Sequence, residues 1–353
     1  MKTASYALTI TALFVLMATG AQAQTTSQVF HFVHTSTEQA ANVIATSIRT
    51  IGEIKDLSVD FPVRTLTVDG TADQLKLAEW MFIGMDRTVP IASDSSVHEY
   101  RLPDGADNVV RLFYIDSGQT VQEFQEFATM LRTIAEIRRV FAYNEGKILA
   151  MRGTADQMSM ADYFTNQLAK TAPALHPHSV TRQYLLPADP SPRPNENVTQ
   201  ILFVANTPTV QEFQELATLI RTIAEIRRVF TYNTPRAIAV RGTADQIAFA
   251  EWLFNEIDRP RSADQSHASA IYDYPDPPGR DYAGTARVFY LPHTATVQDF
   301  QKIATTIRTT AQIRRVFTYN SPRALALRGT VDQLQQAEQM LTQLDPADFP
   351  KAP

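Results

Sequence analysis

Thr209-Val-Gln-Glu-Phe-Gln-Glu-Leu-Ala-Thr-Leu-Ile-Arg-Thr-Ile-Ala-Glu-Ile-Arg-Arg-Val-Phe230 decides how this chain is read, because it is written more than once. The stretch from Thr120 to Phe141 repeats it almost word for word. Thr296 to Phe317 is a third copy, and Thr37 to Leu57 is a diverged fourth. Each copy is followed by Gly-Thr-(Ala or Val)-Asp-Gln, beginning at Gly70, Gly153, Gly242 and Gly329, at intervals of 83, 89 and 87 residues. Such an interval is long for a solenoid repeat and fits a small domain plus a linker.

The third copy shows the elements most clearly. Ile201 to Ala205 is a short apolar run that reads as a strand. Thr209 opens a helix, and Glu212 stands three residues on, the spacing of a capping box. Phe213, Leu216, Ala217, Ile220 and Ile223 recur at helical spacing on one face. Arg227-Arg228 follows, where positive charge suits a helix C-terminus. Val229 to Tyr232 reads as a second strand, Asn233-Thr-Pro-Arg236 as a turn, and Ala237 to Arg241 as a third strand. Gly242 ends it. Thr243 and Gln246 form another capping pair, and Ile247, Ala250, Phe254 and Ile257 line a second helix closing at Asp258-Arg259-Pro260.

The expected fold class is therefore α+β: four tandem βαββα modules, KH-like in element order, joined by proline-containing extended linkers. The expected divisions are 1–23 (signal peptide), 24–90 (module 1, diverged), 91–171 (linker strand plus module 2), 172–260 (proline-rich linker plus module 3) and 261–353 (linker plus module 4 and a short tail). A unit of this size buries only about 60% of its chain surface, so neighbouring modules or a partner should add stability. The linkers carry Tyr100-Arg-Leu-Pro103, Tyr184-Leu-Leu-Pro187 and Tyr272-Asp-Tyr-Pro275. Each is either an extra edge strand, where proline is tolerated, or a semi-rigid spacer.

The N-terminus addresses the compartment. Lys2, an apolar run from Tyr6 to Met17, and Ala21-Gln22-Ala23 have the layout of a secretory signal peptide cleaved after Ala23. The apolar run is short of the roughly 20 residues that span a bilayer, so no transmembrane segment is expected in the mature chain. With no cysteine, the exported modules cannot use disulfides, which favours a periplasmic setting; a secreted or outer-membrane-associated protein is the alternative. A net charge of −5 gives no global field for nucleic acid or anionic lipid. The KH-like order raises single-stranded nucleic acid as a ligand, but no module carries the Gly-x-x-Gly clamp.

Little reads as chemistry. Seven histidines are present, and none recurs at one place in all four modules. His176 and His178 in a linker are the nearest approach to a metal site, without the carboxylates that zinc would need in a cysteine-free chain. There is no Gly-x-Ser-x-Gly elbow. No catalytic, cofactor-binding or metal residues are expected, and the chain is not expected to be an enzyme.

One pattern does recur. Arg139, Phe141 and Tyr143, then Arg228, Phe230 and Tyr232, then Arg315, Phe317 and Tyr319 alternate with the helix-facing residues of the second strand. By comparison with Asp56, Ser58 and Asp60 in the first module, these nine residues point away from the helices. Arg and aromatics are favoured in interface cores. The stripe is therefore either an external contact face or a face covered within the chain by the linker strand or the next module.

The whole pattern is similar to the short periplasmic N-terminal domains of secretins, the outer-membrane channels of type II and III secretion and type IV pili. The matching stretches are Ala237-Ile-Ala-Val-Arg-Gly242 with Ile257-Asp258, Ala324-Leu-Ala-Leu-Arg-Gly329 with Leu344-Asp345, and more loosely Leu66-Thr-Val-Asp-Gly70 with Met85-Asp86. The second module departs, ending Leu168-Ala169, and Tyr232 and Arg236 stand where the family usually has Asp and Asn. The chain ends at Pro353, a few residues past the last helix, where a secretin continues into its pore domain. The resemblance implies docking or ring-building modules without a pore: an accessory or scaffold of a cell-envelope secretion or pilus-type system. Its partners would be envelope or secretion-system proteins or further copies of itself. The alternative is a periplasmic ligand- or peptide-binding sensor module not tied to secretion.

Overall fold

The computed structural model describes residues 25–87, 97–115, 120–169, 183–187, 195–234, 236–260, 268–274 and 284–345. The stretch expected to be a signal peptide, 1–23, and His176, His178 and His267 lie outside them. Within them the order strand-helix-strand-strand-helix occurs four times. The first module comprises β1 (Thr26–His31), α1 (Glu38–Gly52), β2 (Asp56–Asp60), β3 (Thr65–Gly70) and α2 (Ala72–Met85). The second comprises β4 (Val97–Arg101), β5 (Val109–Tyr114), α3 (Val121–Ile134), β6 (Arg139–Tyr143), β7 (Ile148–Gly153) and α4 (Ala155–Phe164), the last running on into a π-type turn to Ala169. The third comprises β8 (Gln183–Leu185), β9 (Val198–Phe203), α5 (Val210–Ile223), β10 (Arg228–Tyr232), β11 (Ala237–Gly242) and α6 (Ala244–Ile257). The fourth comprises β12 (Tyr272–Asp273), β13 (Thr285–Tyr290), α7 (Val297–Thr310), β14 (Arg315–Tyr319), β15 (Ala324–Gly329) and α8 (Val331–Leu344).

Local chemistry sets the helix starts. Each helix begins behind a threonine whose hydroxyl accepts a backbone N–H of the first turn. At Thr209–Glu212 and Thr243–Gln246 the reciprocal bond closes the capping box. In each sheet the third strand of the module lies between the first and second, all antiparallel, as in β1-β3-β2. Its aliphatic residues are therefore buried from both sides. β9 begins at Val198, earlier than the apolar run suggests. Thr199 and Gln200 are buried because they pair with β11 and β8 on either side, so polarity hides the strand.

The linker segments are edge strands. β4, β8 and β12 pair antiparallel with β5, β9 and β13, giving three four-stranded sheets. Pro103 and Pro187 fall just past the paired residues, where a missing N–H costs no ladder bond. They lie at the sheet edge away from β6, β10 and β14, so they do not cover the Arg-aromatic stripe.

Two clamps fasten the loop after the first strand. The Asp86 carboxylate accepts the N–H groups of Val33 (2.7 Å) and Thr35 (2.7 Å) and the Thr35 hydroxyl (2.6 Å). Asp258 accepts the N–H groups of Ala205 and Asn206 at 2.8 Å each and the Thr207 hydroxyl (2.9 Å). Asp345 takes the Thr294 hydroxyl (2.6 Å). From the hairpin turn, Arg64 donates to the Thr35 carbonyl, Arg236 to that of Thr207 and Arg323 to that of Thr294. The aliphatic-Asp ending and Arg236 thus have one task. The second module has Lys147 and Ala169 at these places, which explains its departure from the pattern.

Candidate functional site: the seams between modules

Each of the second, third and fourth modules lays the helix-free face of its sheet against the first helix of the module before it: β6 on α1, β10 on α3 and β14 on α5. The strand registers put three rows on this face. In the third module they are Thr199–Arg241–Arg228, Ile201–Ala239–Phe230 and Phe203–Ala237–Tyr232. In the second they are Val110–Arg152–Arg139, Leu112–Ala150–Phe141 and Tyr114–Ile148–Tyr143. In the fourth they are Ala286–Arg328–Arg315, Val288–Ala326–Phe317 and Tyr290–Ala324–Tyr319.

The nine stripe residues therefore lie within the chain, against the adjacent module. Phe141 and Tyr143 join the core built on module 1, Phe230 and Tyr232 that on module 2, and Phe317 and Tyr319 that on module 3. Facing them are Ile51, Met130, Ile134, Leu219 and Ile223, all fully buried. The cores merge across the seams, which is how units this small reach an adequate buried fraction.

A charged latch closes one side of every seam. Glu53, Glu136 and Glu225 follow the first helices in the left-handed region, at φ 54°, 54° and 56°. That conformation strains a residue with a Cβ and turns the carboxylate toward the next module. Glu136 meets Arg228 at 2.5 Å and Arg241 at 3.3 Å. Glu53 meets Arg139 and, at 3.2 Å, Arg152. Glu225 meets Arg315 and, at 3.3 Å, Arg328. The third-strand arginine does more. Arg152, Arg241 and Arg328 donate to the carbonyls of Ile51, Ile134 and Ile223 at 3.1, 3.1 and 3.2 Å. A carboxylate at the negative end of a helix is unfavourable alone, and an arginine there is favourable; the pair resolves the conflict across the seam.

The other side carries a second polar contact in two seams. Glu126 accepts the Asn233 N–H (3.1 Å) and side-chain amide (2.7 Å), and Glu215 accepts the same groups of Asn320 at 3.0 and 2.9 Å. Tyr114 donates to the Gly84 carbonyl at 2.9 Å and Tyr290 to that of Glu256 at 2.5 Å. Gly84 lets the modules approach closely: a Cβ there would stand 2.4 Å from Leu112 Cδ1 of the next module, so that side chain would have to shift. Burial pushes the Tyr290 and Tyr319 hydroxyls up to about 12, and moves Tyr232 further in the same direction.

Sequence reasoning reached the stripe but missed its partners Glu53, Glu136 and Glu225, the third-strand arginines, and Asn233 and Asn320. A signal was present. The glutamate recurs after three of the four helices and becomes Gln312 after the last, while the arginine before each Gly-Thr signature recurs in three copies and is Asp69 in the first. Among the described residues no group of three or more His, Asp and Glu is placed to hold a metal ion, and no helix is long and apolar enough to cross a membrane.

No protein-family model matches the sequence, and no curated protein matches it. Among solved structures the chain is similar to Aeromonas hydrophila ExeD, at 14% identity and TM-score 0.16, over 69% of this chain and 42% of that one. It is also similar to the N-terminal domain of the secretin XcpQ from Pseudomonas aeruginosa, at 14% identity and TM-score 0.18, over 42% of this chain and 61% of that one. A third likeness is to XcpQN012, at 13% identity and TM-score 0.21, over 63% of this chain and 93% of that one. The chain spans less than two thirds of the length of the first two.

Proposed function

We propose that this chain is a non-catalytic periplasmic assembly protein, an accessory or scaffold of a cell-envelope secretion or pilus-type system. In this reading its four secretin-N-domain-type modules, divided as 24–90, 91–171, 172–260 and 261–353, act as one preassembled stack. The supporting observation is the seam itself: one Glu–Arg–Arg latch and one apolar row, used three times in succession. A chain built to present a fixed array of modules needs such joints. Partners then meet the stack as a unit, and the Arg-aromatic stripe serves to build it.

The test is co-purification from envelope extract with the mature chain as bait, beside an Arg241→Glu chain whose second seam is broken. A component of a secretion or pilus system should be retained by the first and lost from the second. Retention of no envelope protein, or a mature N-terminus elsewhere than Gln24 in the periplasmic fraction, would overturn the reading.

A further inference from the structure

Three seams share one chemistry, and both ends of the stack depart from it at the same positions. On the outer face of module 1, Asp56, Ser58 and Asp60 occupy the places of the Arg-Phe-Tyr column, and Asp69 that of the third-strand arginine. All four are exposed. Val29 is 51% exposed, whereas Ile201 at the same place in module 3 is 3% exposed. At the other end, Lys302, Thr306, Thr310 and Gln312 stand where module 3 has Glu215, Leu219, Ile223 and Glu225, and all four are exposed. Gln312 keeps the left-handed φ of 54°. The backbone turn that follows the helix at each seam is therefore kept here, and the side chains on it differ.

We infer that the stack is closed at both ends against a second copy of this chain. In the internal geometry an incoming module 1 would bring Asp56 and Asp69 to the C-terminal end of α7, where the helix dipole already repels carboxylates. Thr306 and Thr310 would meet Ser58 and Thr67 in place of a buried apolar row. Lys302 near Asp60 is the one favourable contact, and an exposed ion pair does not replace buried apolar area. The closure has a physical purpose. A head-to-tail contact that does not form a ring has no natural end, and arrays of like units stay soluble through polar outer faces on their terminal units. This inference concerns growth along the stack and holds whatever envelope partner the protein has.

The test restores the seam chemistry in the full chain. One variant carries D56R, S58F, D60Y and D69R; a second carries K302E, T306L, T310I and Q312E. Each alone should sediment as the wild type does. Mixed in equal amounts they should give a species of twice the mass, and a chain carrying both sets should grow beyond it with concentration. Folded variants that stay apart would overturn the inference. So would zero-length cross-links between Lys302 of one wild-type copy and Asp60 of another, distinguished by isotope labelling and increasing with concentration. Should either set unfold its module, the converse is read inside the chain. L219T, I223T and E225Q together transplant the end residues onto α5 and should lower amide protection of β14 at least tenfold. Unchanged protection would overturn the inference.

Discussion

Modules 1 and 3 share an element order and a strand register, yet their helix-free sheet faces have opposite characters. In module 3 that face carries Arg228, Phe230 and Tyr232 and is covered by α3; in module 1 it carries Asp56, Ser58 and Asp60 and is exposed. The interiors hardly differ in kind: Leu66 and Val68 are buried beneath α1 and α2 as Ile238 and Val240 are beneath α5 and α6. Position in the stack, rather than the fold of the unit, accounts for the composition of this face. The same substitution should therefore have different consequences in the two modules.

The largest expected contrast is at the tyrosine. Tyr232 is fully buried, so Tyr232→Asp places a charge inside a merged core and should cost about 4 kcal/mol or more in denaturant unfolding. Asp60→Tyr in module 1 should change stability by about 0.5 kcal/mol at most. A tolerated Tyr232→Asp would mean that the second seam is not formed in solution.

Next is the latch. Arg328 is buried and serves both Glu225 and the Ile223 carbonyl. Arg328→Asp should cost about 3 kcal/mol, because it leaves Glu225 facing a like charge at a helix end. Adding Glu225→Arg should restore only part of the loss, since the Ile223 carbonyl regains no donor and Arg315 gains a like-charged neighbour. Full restoration would show that the latch is a plain ion pair.

Leu219→Thr, which copies the end of the stack into the third seam, should cost about 2 kcal/mol. Thr306→Leu should be close to neutral in the isolated chain. Thermal unfolding of both variants measures the contrast.

The seams should also weaken in alkali. Burial raises the hydroxyl pKa of Tyr290 and Tyr319 to about 12, and that of Tyr232 further, above the ordinary tyrosine value of about 10. The folded protein thus holds these protons where the unfolded chain releases them. Their contribution is intact below about pH 10 and is lost as pH rises toward 12. Tyrosinate absorbance followed alongside unfolding should show late titration, and Tyr319→Phe should flatten the pH dependence. The smallest effect is at the first strand: Val29→Thr should lie within about 0.5 kcal/mol of wild type, while the matched Ile201→Thr destabilises.

Much of the unit is legible in the sequence. Thr209, Glu212, Thr243 and Gln246 announce two helix starts through local spacing, and Phe213, Leu216 and Ile220 announce a buried face through periodicity. The start of β9 was not legible, because Thr199 and Gln200 look like solvent residues and are buried by strands on both sides. Arg236 looked like a turn residue, and its bond to the Thr207 carbonyl at 2.6 Å joins residues that lie apart in sequence. The stripe itself was visible as alternation, but alternation says only that two faces differ.

By itself, the sequence determined the fourfold repeat, the helix caps, the helix-facing cores and the oddness of the first copy, all of which rest on pattern within or between the repeats. The tertiary structure alone decided what covers the Arg-aromatic face and made Glu53, Glu136 and Glu225 part of it. Glu136 and Arg228 stand 92 residues apart in the chain. Their meeting depends on how one folded module seats on another, and no local periodicity encodes that.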